Sequence, residues 1–215
     1  MLMTQLKLPK TRAAAPVLAR FLESKYKQHQ VLWELVGDPS RPRRDFAFRA
    51  EETEAGVSVL AISATPFAAV AAPWEAIVKD YAPSFRLGQE LNFKIRAALT
   101  FSEHQPGRRG KQKSLVMALK DKAPEMSWKQ AFDQAAESWL ERRQEAGGFS
   151  VQDLHVLDSG KWDMREKGGR AMIHVADIHG RIRIENPALF SERQPRGMGD
   201  YKVLGLGLML VKPAT

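Results

Sequence analysis

The sequence predicts an α+β protein in which the element order β-α-β-β-α-β occurs twice along 215 residues. Three observations support this prediction. Segments that alternate apolar and polar residues, as strands do, are separated by segments whose apolar residues have helical spacing. Strand-like segments follow each other in pairs, as in hairpins. The whole series recurs in the second half of a chain long enough for two domains of roughly 100 residues each.

The first series occupies residues 1–88. Its predicted elements are a strand over 1–8, a helix over 13–36, a hairpin of strands over 44–50 and 57–64, a short helix over 73–80 and a closing strand over 85–87. The turn residues Gly37-Asp38-Pro39-Ser40 end the long helix. This order is typical of a ferredoxin-like domain.

The second series occupies residues 89–215. Its predicted elements are a strand over 91–101, a helix over 127–144, strands over 151–157 and 171–184 joined by a hairpin-like segment over 158–170, a short helix over 187–192 and a final strand over 206–211. Ser127 is a good N-cap for the helix, and Gly147-Gly148 ends it. We therefore expect two tandem ferredoxin-like domains.

Composition and charge restrict the class of protein. The chain has no cysteine, which excludes disulfides and thiolate metal sites and fits a reducing, cytoplasmic setting. No segment approaches the roughly 20 apolar residues of a membrane span, and no secretory pattern begins the sequence. The net charge is +8, and basic blocks over 1–50, 94–122 and 158–215 alternate with acidic ones. If the fold gathers the basic blocks on one side, that face suits phosphates; otherwise the chain is merely basic.

A glycine-rich run near the C-terminus is the most informative motif. Residues 197–207 contain Gly197, Gly199, Gly205 and Gly207 together with Lys202. Such a run lets backbone N–H groups approach an anion, and a lysine favours one. A dinucleotide fingerprint is excluded because Lys202 replaces its third glycine and because a strand follows rather than a helix. The alternative to an anion-binding loop is a tight turn before an edge strand, but such a turn would explain only two of the four glycines.

Four segments in chain order resemble a known family. They are Tyr26-x-x-His29-Gln30-x-Leu32-Trp33-x-Leu35, Arg44-Asp45-Phe46-x-Phe48-Arg49, Leu87-Gly88-x-x-Leu91-x-Phe93-x-Ile95-Arg96-Ala97, and the glycine-rich run continued to Pro213. This pattern resembles the CRISPR repeat-RNA endoribonucleases and is most similar to their CasE branch, the processing subunit of the Cascade complex. Members of that family consist of two ferredoxin-like folds.

The resemblance implies an activity, a substrate and partners. It implies metal-independent cleavage of a CRISPR repeat stem-loop RNA at the 3′ base of the stem, with attack by the 2′-hydroxyl giving a 2′,3′-cyclic phosphate and a 5′-hydroxyl. It also implies that the protein keeps the product hairpin and joins the other Cascade subunits. The alternative is a non-catalytic RNA-binding subunit of the same ribonucleoprotein.

His29 is the candidate for proton transfer, because histidine is the side chain that titrates near neutral pH. It follows Tyr26 by three residues and precedes Trp33 by four, so a helix brings the three side chains together. From the residues alone, a core histidine is the commoner interpretation of His29, because it lies near the apolar stripe of the helix. The resemblance implies that His29 is the general acid or base and that Tyr26 orients the phosphate or assists the proton transfer. Family members often have a basic residue five positions after the histidine, where this chain has Glu34.

RNA binding is predicted at two basic segments and the glycine-rich run. The predicted residues are Arg108, Arg109, Lys111, Lys113, Lys161, Arg165, Lys167, Arg170, Lys202, Gly197, Gly199, Gly205 and Gly207. Basic loops of this kind contact the phosphates of an RNA stem, although a solvated charged loop is an equal interpretation for any one residue. Trp162 would either stack on a base or pack on its own hairpin. The remaining histidines lack metal-site spacing, so we expect no metal and no cofactor.

Overall fold

The computed structural model describes residues 1–36, 46–103, 110, 112–166 and 169–214, with the backbone alone at 164–166 and 169–171. Its elements are β1 (Leu2–Pro9), α1 (Ala15–Glu23), α2 (Lys25–Val36), β2 (Phe46–Thr53), β3 (Gly56–Ser63), β4 (Glu75–Asp80), β5 (Glu90–Ala98), β6 (Thr100–Ser102), β7 (Gln112–Ser114), α3 (Leu115–Lys122), α4 (Trp128–Gly147), β8 (Phe149–Glu166), β9 (Gly169–Ile184), α5 (Pro187–Arg193) and β10 (Leu210–Pro213).

Two four-stranded antiparallel sheets organise the chain. The first has the strand order β2-β3-β1-β4 and the second β10-β5-β9-β8. In each sheet the first strand of the domain lies between the third and the last, which is the ferredoxin-like order. The predicted fold class, two tandem ferredoxin-like domains, is therefore confirmed. Strands β6 and β7 form a separate two-stranded ladder.

The helix predicted over 13–36 is in fact two helices. Ser24 separates them with an extended backbone at φ −162° and ψ 163°. Its hydroxyl then accepts a hydrogen bond of 3.1 Å from the backbone N–H of Lys27, which caps the start of α2. Serine favours this alternative because its side chain competes with the helical backbone bonds. The break gives α2 its own direction, independent of α1.

The prediction for residues 73–80 is wrong. These residues include β4, which pairs antiparallel with β1 and closes the first sheet. The β-branched residues Ile77 and Val78 suit an exposed strand, and pairing satisfies the backbone groups along the edge of β1. Because β4 already occupies this edge, residues 85–87 do not form the predicted closing strand. Within the described residues, the first domain has no second helix after its hairpin.

The second domain differs from the prediction mainly in the lengths of its elements. A capping box of Ser127 and Gln130 begins α4, and Gly148 ends it in a left-handed conformation at φ 73°. Strands β8 and β9 pair along nearly their full length, so residues 158–166 and 169–170 extend the ladder. The final strand starts at Leu210 rather than 206, because Gly205 and Gly207 have φ values of 80° and 84°, which an extended strand does not allow. Helix α3 was not predicted.

The cores explain how the domains are joined. The alternating apolar residues of β5 are buried as predicted, in a core that includes Trp139 of α4. Between the domains, Leu208 packs with Ala47 and Ile62 of the first sheet. The glycine-rich run therefore lies at the boundary between the domains. No helix in the described ranges has the length and apolar character that a membrane crossing requires.

Candidate functional site

The candidate catalytic side chains lie together on α2. The ring centroids of Tyr26 and His29 are 6.4 Å apart, and those of His29 and Trp33 are also 6.4 Å apart. Tyr26 is 41% exposed and His29 is half-buried. The break at Ser24 places Tyr26 in the first turn of α2. The predicted neighbourhood of the three rings is confirmed. The phenol is exposed, whereas the imidazole is half-buried with its Nδ1 atom enclosed.

The turn that carries Lys202 packs against α2. Residues Lys202–Leu204 form a single 3-10 turn that contacts this helix. The Nζ of Lys202 donates hydrogen bonds to the carbonyl oxygens of Gly197 at 3.0 Å and of Arg196 at 3.3 Å. These bonds hold the ammonium within the glycine-rich run. The fold thus brings the motif at the end of the chain to the helix with Tyr26 and His29.

Close packing accounts for the glycines of this run. A Cβ at Gly205 would lie 2.7 Å from the ring of Phe48, and one at Gly207 would lie 2.0 Å from the carbonyl oxygen of Met198. Gly199 lies against Trp139, and Gly197 is buried. The expectation that a structural turn explains only two glycines is therefore wrong. RNA contact at the four glycines stays a prediction.

The basic segments are only partly described. Arg108, Arg109, Lys111 and Lys167 lie outside the described residues, as do His104, Arg44 and Asp45. The backbones of Arg165 and Arg170 pair with each other near the end of the β8–β9 ladder. Lys113 makes an ion pair of 2.8 Å with Glu103. Lys161 lies over the ring of Trp128, with Nζ 4.7 Å from the centroid. RNA binding by these residues also stays a prediction.

A cleft of about 510 Å³ separates the two domains. Lys25 and Gln28 of α2 line one side, and Arg96 and Trp162 line the other. The Nζ of Lys25 lies 4.8 Å from the Trp162 ring centroid, so the indole packs against the helix and not only against its own hairpin. Burial lowers the pKa of Lys25, and repulsion from Arg96 adds to the effect. No pattern in the sequence indicates this contact.

Asp177 makes two ion pairs at the boundary between the domains. It accepts from Arg49 of the first domain at 2.9 Å and from Arg96 of the second at 2.7 Å. Arg49 is only 3% exposed, and Arg96 also donates to the carbonyl oxygen of Ala50 at 3.1 Å. No spacing rule relates residues 49 and 177, so sequence reasoning missed this cluster. It fixes how the sheets meet beside the glycine-rich run.

Glu34 occupies the position where a basic residue was expected. Its carboxylate receives two hydrogen bonds from the guanidinium of Arg20, at 2.5 Å and 2.8 Å. The hydrogen bond from Arg20 lowers the pKa of Glu34. The carboxylate is thus already paired, and the cation near this position comes from α1 rather than from α2.

The described residues contain no cluster of three or more histidine, cysteine or acidic side chains suited to a metal ion. His155 and His179 form a pair of rings with centroids 5.5 Å apart on β8 and β9. His174 is 4% exposed, and its Nδ1 lies 2.9 Å from the Ser114 hydroxyl. Burial lowers the pKa of His174, so its neutral form is favoured. The expectation of no metal remains a prediction.

Comparison with protein families gives one match over almost the whole chain. A family model described as "CRISPR associated protein" matches residues 1–213. The CRISPR-associated endoribonuclease Cse3 of Thermus thermophilus is 29% identical over 147 residues, which is 63% of this chain and 61% of the relative. The chain thus spans less than two thirds of the length of that relative. The Cascade subunit CasE of Escherichia coli is 24% identical over 196 residues, covering 87% of this chain and 92% of the relative.

Solved structures share the fold. A structure of Cse3 bound to a 19-nucleotide RNA has a TM-score of 0.74 and 24% identity, covering 99% of this chain and 98% of the other. The crystal structure of Cas6e from Escherichia coli has a TM-score of 0.67 and 21% identity, covering both chains fully at 100%. At these identities the likeness establishes the two-domain fold.

Proposed function

The chain belongs to the CRISPR-associated protein family, and from this premise we propose that it is the endoribonuclease that processes CRISPR repeat RNA. The proposed substrate is a repeat stem-loop, cut at the 3′ base of the stem, with the product hairpin retained in a Cascade complex. The observation that supports catalysis most is the pairing of Tyr26 and His29 on the surface of α2, beside the turn of Lys202. The named relatives, an endoribonuclease and a Cascade subunit, support the same proposal.

The proposed reaction needs three events at one phosphate. The 2′-hydroxyl upstream of the scissile bond loses its proton and attacks phosphorus in line, and the bond to the 5′-oxygen breaks. The leaving 5′-oxygen takes a proton, which leaves a 2′,3′-cyclic phosphate and a 5′-hydroxyl. His29 acts as general acid or base in this scheme, and Tyr26 orients the phosphate or assists the proton transfer.

Lys202 supplies positive charge at the edge of this site. Its ammonium is held by carbonyl groups of the glycine-rich run, so its position is set before the substrate binds. A preorganised cation stabilises the additional negative charge of the transition state, because it needs no reorganisation during the reaction. If Lys202 binds only the backbone, its loss raises KM and leaves kcat unchanged.

Substrate binding is assigned to the basic residues on the second domain. Lys113 and Lys161, with Arg165 and Arg170 near the end of the long ladder, would contact RNA phosphates, together with the basic residues outside the described ranges. Such contacts make binding weaken steeply with salt, because each neutralised phosphate releases counterions. The proposed site of action is the cytoplasm.

Glu34 supports a second candidate, a non-catalytic RNA-binding subunit of the same complex. A carboxylate stands where relatives often carry a cation, and it is paired with Arg20 rather than directed to a substrate. This arrangement removes one positive charge from the expected catalytic set. The retained Tyr26 and His29 favour the enzyme, because a purely structural subunit needs neither residue.

One experiment separates the two candidates. The protein is incubated with its repeat RNA in EDTA, in parallel with His29→Ala and with an RNA that carries a 2′-deoxy sugar upstream of the scissile bond. We expect intact protein to cut the natural RNA in EDTA, and both changes to abolish cutting. Binding without cutting by intact protein would favour the structural subunit. Cutting that requires added magnesium would contradict the proposed mechanism.

A further inference from the structure

A second group of aromatic and basic side chains lies where α4 begins. Trp128 is the first residue of this helix and is 46% exposed. The capping box of Ser127 and Gln130 already satisfies the start of the helix, so an indole contributes nothing to the cap. The start of α4 therefore does not require a tryptophan at this position, although nearly half of Trp128 is exposed to water.

The indole rests on a rigid support. The ring of His174 lies nearly parallel to it, with an interplanar angle of 17° and centroids 6.1 Å apart. His174 is buried, contacts the hydroxyl of Ser114 and packs edge-on against Phe132 at 5.7 Å. A ring held by a fixed neighbour loses little conformational entropy when a ligand stacks on it.

Two lysines lie over the ring of this indole. The Nζ of Lys161 lies 4.7 Å from the ring centroid and that of Lys120 lies 5.5 Å from it. Lys120 is held in place because it donates to the carbonyl oxygens of Pro124, at 2.6 Å, and of Met126. Lys161 is the direct partner of His174 in the β8–β9 register. The patch thus combines an aromatic ring with two ammonium groups, and hydrogen bonds hold that of Lys120 in place.

We propose that Trp128 stacks an unpaired nucleobase of single-stranded RNA, with Lys161 and Lys120 at the neighbouring phosphates. This combination of a stacking platform and cations is how proteins hold unpaired nucleotides. Base faces in a duplex are covered by their neighbours, so the occupant is a single-stranded segment that flanks the repeat stem. A protein partner fits less well, because interface cores are depleted in lysine. The inference rests on the proposed function in taking the ligand to be repeat RNA.

The test compares the affinities for two RNAs by fluorescence anisotropy, in the His29→Ala background. One RNA is the bare repeat hairpin, and the other carries single-stranded extensions of about six nucleotides on both sides. Trp128→Ala is expected to weaken binding of the extended RNA by roughly 5- to 100-fold relative to the bare hairpin. Abasic sugars in the extension should produce the same loss with Trp128 present, and Trp128→Phe should lose less.

Matched controls keep the result interpretable. Lys129→Ala removes a neighbouring cation that is 83% exposed and paired with Asp133, and it should leave both affinities unchanged. For the extended RNA, Lys161→Gln should reduce the slope of log binding constant against log salt concentration by about the value of one phosphate contact. An equal loss for both RNAs, or no loss for either, would overturn the proposal. Because cleavage is not measured, failure of the catalytic assignment leaves this outcome unaffected.

Discussion

Asp177 provides the sharpest test of how the two domains are held together. Its carboxylate binds Arg49 at 2.9 Å and Arg96 at 2.7 Å, which joins β2 of the first domain to β5 and β9 of the second. The change Asp177→Asn keeps the shape of the side chain and removes its charge. We expect it to destabilise the fold, because Arg96 then loses its ion pair with Asp177, while Arg49 keeps its pair with the half-exposed Glu51 at 2.8 Å.

The size of the effect follows from the burial of the three groups. The side chains of Arg49, Asp177 and Arg96 are 3%, 12% and 20% exposed. Breaking a buried pair costs about 3–5 kcal/mol. The residual exposure of Asp177 and Arg96 and the remaining pair of Arg49 with Glu51 favour the lower end. A loss of about 3 kcal/mol lowers the Tm of a chain of this length by roughly 6–12 °C.

The assay is thermal unfolding of the purified protein, with Asp153→Asn as the control. Asp153 pairs with Arg181 at 2.6 Å in the same sheet, but the two side chains are 34% and 52% exposed. An exposed pair contributes little, so the control should unfold near the original temperature. If Asp177→Asn lowers the Tm no more than Asp153→Asn does, the reasoning about the buried cluster is wrong.

Three further predictions concern other parts of the molecule. His29→Ala should lower cleavage by about 100-fold or more in a single-turnover assay while the Kd for repeat RNA stays the same; a similar rate would refute the acid–base role. Gly205→Ala should lower the free energy of unfolding by at least about 1 kcal/mol in urea titrations, since the site has φ 80° and lies against Phe48; unchanged stability would refute the packing argument. Glu34→Gln should destabilise by less than about 1 kcal/mol near neutral pH, because Arg20 holds the folded pKa of Glu34 below its usual value. The stability that the Glu34–Arg20 pair contributes is complete above the usual carboxyl pKa of about 4 and is lost as the pH falls through the pKa of Glu34 in the folded protein. In stronger acid, Glu34→Gln and the unchanged protein should therefore have the same stability.

Much of the fold was predictable because local patterns and sheet pairing agree. The alternation of β5 and the Ser127 cap of α4 each appear in the structure where the sequence indicates them. One error occurs where a tertiary contact decides between two local options, and another where a local hydrogen bond does. Residues 75–80 become a strand because the edge of β1 needs a partner. Ser24 interrupts a pattern that is otherwise continuous, because its hydroxyl caps the next helix.

The candidate site also contains some contacts that the sequence could predict and others that it could not. Tyr26, His29 and Trp33 are neighbours through helical spacing alone, so the sequence could predict their proximity. The stacking of Trp128 on His174 joins residues 46 positions apart, and no pattern in the sequence relates them. Such contacts depend on which faces of two elements meet, which local periodicity does not encode.

The sequence by itself determined the two-domain α+β class, the neighbouring rings on α2 and the resemblance of four motifs to one family. These follow from short-range spacing, which backbone geometry turns directly into shared faces. Only the tertiary structure decided that the turn of Lys202 packs against α2 and that Asp177 joins the two domains. It also decided that packing against Phe48 accounts for Gly205. Each of these contacts pairs residues far apart in the chain, and their energy becomes available only once both sheets and the segment between them are in place.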